Sequence, residues 1–284
     1  MTTATAPARV TCPAQTLAAR VAAHLPARAG RPWTVEPYAA WWTARHPGAR
    51  LVQGERALVL VANGSTWNTE IGWQLPVREP TRPDLILPTT RPAVIAREVL
   101  RLVLPVVDDE AAGRAIAGGP RVMGRLELLN AIGHVMRLQG MATYNRVGLL
   151  ADTSTLAWGT RGGARYSVTA HGTNPALHVS ITGPVLAVER AVTAFLPPAD
   201  QGRPEIPRVH GRLQRRLAAV LARHCAVEQT EQGGLAFGTR PGLYGYAAPA
   251  RDPRDRAHDN TPASVDVHGV GADLLISLAP QLCR

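Results

Sequence analysis

The 284-residue sequence contains no lysine; all 31 of its basic residues are arginine. That absence removes several mechanisms outright. There is no amine for a Schiff base, no attachment point for pyridoxal phosphate, no P-loop lysine and no kinase-type strand lysine. Cysteine is scarce too. Cys12, Cys225 and Cys283 are an odd number without C-x-x-C spacing, which suits neither a disulfide framework nor a zinc site. No uncharged apolar run reaches the roughly 18 residues that span a bilayer. The best candidate, "AVIAREVLRLVLPVV", is broken by Arg97, Glu98 and Arg101. The N-terminal "MTTATAPARVTCPAQ" lacks the apolar block of a secretory signal. These features predict a soluble, cytoplasmic protein with no membrane partner.

Catalytic motifs are missing as well: no G-x-S-x-G, H-E-x-x-H, EF-hand loop or strand-to-helix G-x-G-x-x-G occurs. His171 and His258 fall in similar loops, "HGTNPA" and "HDNTPA", where His, Asn and Thr suit hydrogen bonding to turn backbone ahead of proline. A metal site needs three or four converging ligands, and the spacing offers none. The expectation is a non-enzymatic protein with no catalytic residues, no metal ligands and no cofactor.

With 45% hydrophobic and 18% charged residues, the chain can bury a core. Its main internal feature is repetition. "PRVMGRL" near the middle recurs as "PRVHGRL" 87 residues later, and "LAWGTRGG" (156–163) recurs as "LAFGTRPG" (235–242) at an offset of 79. Shifts of that kind between matched phrases are loop insertions in a folded repeat. A more diverged segment, "LILPTTRPAVIAREVLRLVLP" (85–105), lies over "LHVSITGPVLAVERAVTAFLP" (177–197) without a gap, pairing Pro92 with Pro184 and Pro105 with Pro197.

Within the middle segment, Leu128, Ile132, Val135 and Met136 make the apolar stripe of an amphipathic helix. Four short alternating runs follow, "ATYNRVGLLA", "TLAWGT", "ARYSVTA" and "ALHVSIT", with "RGG" supplying hairpin-turn chemistry between the second and third. "GPVLAVERAVTAFL" closes the segment as a helix with proline near its first turn. The predicted fold class is α+β: three tandem diverged α-β-β-β-β-α units, each an antiparallel sheet with helices on one face. The units are 1–107, with an extra N-terminal helix in "AQTLAARVAAHL", then 121–197 and 208–284. Residues 108–120 and 198–207 read as linkers. This order of elements is similar to the TATA-binding-protein-like and helix-grip arrangements, and double-stranded-RNA-binding domains share its helix–strands–helix outline. No family motif accompanies that likeness.

The net charge of +10 is concentrated. Residues 206–256 hold nine arginines against four acids, and residues 1–50 hold six against one. In "RVHGRLQRRLAAVLARH", Val209, Leu213, Leu217, Val220 and Leu221 form the apolar stripe. Arg208, Arg212, Arg215, Arg216 and Arg223 fall within about a 100° arc on the other side. A solvated helix face normally mixes signs, so an all-arginine face reads as a phosphate-binding surface, arginine's fork matching phosphate oxygens. Arg161 and Arg240 occupy equivalent hairpin tips beside glycine, where they could reach a nucleic-acid backbone. Adjacent Trp41 and Trp42 cannot both face one core, which places at least one at a protein interface or under a loop. The reading is a nucleic-acid-binding protein of regulatory or mobile-element type; the alternative is a protein-interaction or assembly subunit that uses the repeated surfaces and the Trp-rich first unit.

Overall fold

A computed structural model describes residues 13–28, 30–39, 48–63, 68–76, 78–116, 124–148, 152–199, 208–239, 242–247 and 257–284. The chain divides into two compact units, Met1–Val99 and Leu100–Arg284. The protein is mixed α+β, with one antiparallel sheet in each unit.

The first unit opens with helix α1 (Pro13–Ala22), which starts on a proline whose missing N–H costs nothing there. Ala14, Ala18 and Val21 recur at helical spacing and are buried against the sheet. Five strands follow as a meander in sequence order: β1 (Thr34–Tyr38), β2 (Gly48–Gln53), β3 (Arg56–Asn63), β4 (Asn68–Gln74) and β5 (Leu85–Leu87). This is one strand more than the expected four. A free second face is also not what the centre of this sheet shows. Ala57 through Val61 of β3 are all buried, so the strand is covered on both sides and loses its alternation. Trp33 and Trp73 are buried here, the Arg56 guanidinium lying 5.3 Å from the Trp33 ring and that of Arg78 3.3 Å from the Trp73 ring.

Helix α2 (Pro92–Glu98) ends the first unit, and a π-helical turn (Val99–Val103) leads into α3 (Leu104–Ile116). Pro105, which aligns with Pro197 in the sequence, is the second residue of α3. The wider π turn just before it accommodates a residue that cannot donate back along the helix. The segment expected to be a linker from 108 is consequently helical through Ile116, with Asp108 buried and Arg114 paired to Glu110 one turn away at 3.1 Å.

The second unit continues as α4 (Arg125–Leu138), β6 (Tyr144–Gly148), β7 (Thr153–Gly159), β8 (Arg165–His171), β9 (Leu177–Pro184) and α5 (Val185–Phe195). Then come α6 (Arg212–Leu221), β10 (Val227–Gln229), β11 (Leu235–Gly238), β12 (Tyr244–Ala247), β13 (Pro262–Val270) and α7 (Ala272–Leu282). The order α-β-β-β-β-α thus occurs twice, and each "GRL" phrase stands at the start of a helix. The sequence left open whether the units' sheets join, and these two do. The two runs share one sheet of eight strands in the order β10-β11-β12-β13-β9-β8-β7-β6, all neighbours antiparallel. The seam is β9 against β13, with Ile181 opposite Val265, Ser180 opposite Asp266 and Val179 opposite Val267.

The strands alternate cleanly. Leu156, Trp158, Tyr166, Val168, Val179, Ile181, Val265 and Val267 are buried beneath α4, α5, α6 and α7. Each such side chain contributes roughly 1.5–3 kcal/mol when removed from water. The other face of this sheet carries Thr155, Ser167, Thr169, Ser180 and Thr182 and stays partly exposed. Trp158 and Tyr166 stack in the core at 4.8 Å. Burial, and secondarily the nearby Cys283 thiol, push the Tyr166 hydroxyl up to about 12. Among the described residues no helix is long and apolar enough to cross a membrane.

Candidate nucleic-acid interface

Helix α6 begins after Gly211, whose φ of +93° suits glycine. Leu213, Leu217, Ala218 and Leu221 face inward, toward β11 and α5. Arg212 and Arg215 are exposed on the opposite side, with exposed Arg208 just upstream and exposed Arg223 just downstream. Arg208, Arg212 and Arg223 have no acidic partner among the described residues, and Arg215 only turns its Nε back to the Gly211 carbonyl at 3.2 Å.

Arg216 is placed differently from the other four. Its Nε donates to Glu189 Oε1 at 2.6 Å and its Nη2 to Glu189 Oε2 at 2.8 Å, a fork-on-fork pair between α6 and α5. Nη2 also lies 2.8 Å from Asp259 Oδ1, and Nη1 donates to the Ala257 carbonyl at 3.1 Å. The Glu189 hydrogen bonds, with help from Asp259, hold the guanidinium even more firmly protonated than usual. This arginine ties the two helices together. It is not part of an outward phosphate face, because a helical wheel drawn from α6 alone contains no information about α5.

Arg161 is exposed at the tip of the β7–β8 hairpin, which is closed by Thr160 N–H to Ala164 carbonyl at 2.8 Å and turned by Gly163 at φ +88°. It is not brought into the α6 group. Arg240, Trp41 and Trp42 lie outside the described residues. His171 and His258 are exposed, and their backbone carbonyls accept from Asn174 N–H at 3.0 Å and Thr261 N–H at 2.9 Å, as turn residues do. Among the described residues, no three His, Cys, Asp or Glu side chains converge as a metal site would require.

A second surface emerges from the seam. Because β9, β13 and β12 are neighbours, residues far apart in sequence meet on the polar face of the sheet. His178 and His268 stack with centroids 4.3 Å apart and planes within 4°, and Tyr244 continues the stack on His268 at 5.1 Å and 13°. Neighbouring strands lie about 4.8 Å apart, so upright rings on three consecutive strands are at stacking distance. Tyr246 stands edge-on to both Tyr244 and His268, at 6.4 Å and 6.0 Å. His178 Nε2 is 3.1 Å from Asp266 Oδ1. That bond, together with one from Ser180, holds the Asp266 carboxyl below its usual value despite partial burial. Sequence reading missed this cluster. The alternation "LHVSIT" and "SVDVHGV" does put His178, Asp266 and His268 outward, but only the pairing of β9 with β13 puts them together.

Compared with known proteins, the chain matches no family model, no curated protein and no solved structure.

Proposed function

We propose that the protein is a non-enzymatic nucleic-acid-binding protein that contacts phosphates through the outward arginines of α6, and that its chain is three diverged copies of one α-β-β-β-β-α unit. The observation that carries the binding reading is the set Arg208, Arg212, Arg215 and Arg223, exposed on or beside one helix face with no acid interleaved. Arginine presents donors in a planar fork that fits phosphate oxygens, and the +10 net charge draws a polyanion from a distance.

The test is fluorescence anisotropy with labelled duplex DNA, single-stranded DNA and RNA across a salt series. The comparison is with a triple variant, Arg212→Ala, Arg215→Ala and Arg223→Ala, in which Arg216 is kept. Each phosphate contact contributes about 0.7–0.9 to the slope of log affinity against log salt. Losing three should flatten the slope by about 2–3. An unchanged slope and affinity would remove α6 from the interface.

A further inference from the structure

The polar face of the eight-stranded sheet lies opposite the helices, α6 included, so the α6 arginines leave it unexplained. We infer that this face is a stacking platform for the bases of single-stranded nucleic acid. The inference takes its ligand class from the proposed function, but it rests on different residues.

A single cross-strand row carries the geometry. Tyr144 on the edge strand β6 and Tyr246 on β12 stand at its two ends, 69% and 47% exposed. Between them the register places Ala157, Ser167 and Ser180, which are small, and Asp266, which is engaged by His178. Five strand intervals at about 4.8 Å separate the tyrosines by roughly 24 Å. That is a shallow track with a ring at either end. Tyr246 is braced edge-on by the Tyr244–His268 stack, so its ring is already oriented before any ligand arrives.

Charge favours the same occupant. Exposed Arg146 is two residues beyond Tyr144 on β6, and exposed Arg165 is two residues before Ser167 on β8. Since β6 and β8 run the same way, one guanidinium flanks each side of the track. Among the described residues of these strands, the acid on this face without such an engagement, Glu228, sits past Tyr246 on the far edge strand β10. Ring faces serve unstacked bases, whereas a duplex keeps its bases stacked on one another. The platform therefore selects single strands.

The experiment uses the full chain with labelled dT12, rU12 and a 12-base-pair duplex. Tyr144→Ala/Tyr246→Ala should weaken dT12 and rU12 binding by about 10-fold or more per ring lost. Tyr144→Phe/Tyr246→Phe should bind like wild type, and neither pair should alter duplex binding. Photo-crosslinking of a 4-thiothymidine-containing strand to the wild-type protein should map to β6 and β12, a result that does not depend on how the alanine variant folds. Unchanged dT12 and rU12 affinity in the alanine pair, or crosslinks that map elsewhere, would overturn the platform whatever the α6 triple variant does. Failure of both single strands to bind at low salt would also overturn it, and duplex binding would then decide the arginine reading alone.

Discussion

Arg216→Ala separates a structural arginine from its surface neighbours. In the native protein the Glu189 side chain is only 10% exposed and Arg216 24%, and three of the guanidinium's contacts are to carboxylate oxygens. Removing one partner of a buried pair costs about 3–5 kcal/mol when the remaining charge is sealed from water. The residual exposure of Arg216 lets water reach part of Glu189, which brings the expected loss to about 2–4 kcal/mol. For a domain of the second unit's size, that lowers Tm by about 4–16 °C. Arg212→Ala and Arg215→Ala, both at exposed positions, should stay within about 0.5 kcal/mol of wild type. Replacing the pair together, Glu189→Met with Arg216→Met, should recover most of the loss, since the buried carboxylate goes with its partner and Asp259, which also loses Arg216, is 65% exposed to water. Urea and thermal denaturation followed by far-ultraviolet circular dichroism measure all four. An Arg216→Ala protein within about 0.5 kcal/mol of wild type would refute the structural assignment and return Arg216 to the outward group.

Gly245 lies where a Cβ would collide with the Asp266 carbonyl and the Phe237 ring. Gly245→Ala should cost about 3 kcal/mol in urea denaturation, and a loss below about 1 kcal/mol would show that Phe237 does not need that space. Stability should also have an alkaline limb from Tyr166. Its hydroxyl is raised from 10.0 to about 12 in the folded protein, so the contribution is complete below pH 10.0 and is lost as pH rises toward about 12. The loss amounts to about 2–3 kcal/mol. A Tyr166→Phe variant with the same steep limb would assign it to another group.

Local elements were legible because their signals are local. Leu128, Ile132 and Met136 mark α4 at helical spacing, and all three are buried. Alternation located β7, β8 and β9, and the "RGG" turn joins β7 to β8 where expected. What was hidden depended on partners distant in the chain. Nothing near Leu177–Pro184 says that Pro262–Val270 will lie beside it, so neither the shared sheet nor the His178–His268 stack could be read. The same reason hid Glu189 from Arg216. Residues 108–116 misled for a different reason: acids, glycine and arginine resemble a linker in composition, but the Glu110–Arg114 spacing supports a helix turn. In the first sheet, burial of Ala57–Val61 on both faces erased the alternation that marks a strand with one wet side.

The pairing of β9 with β13 also bears on what half of this unit could do alone. Residues 124–199 by themselves would end their sheet in β9, a strand of eight residues with one hydrogen-bonding edge unsatisfied. Such an edge recruits another strand. Antiparallel pairing of two fourth strands is also what a rotation by half a turn produces, so two copies of one half could close each other's edge as a symmetric dimer. Within a single polypeptide, the same contact is intramolecular and independent of concentration. Once joined, the halves no longer need to be identical: one half pairs Trp158 with Tyr166 across its hairpin, and the other pairs Phe237 with Gly245 at the corresponding positions.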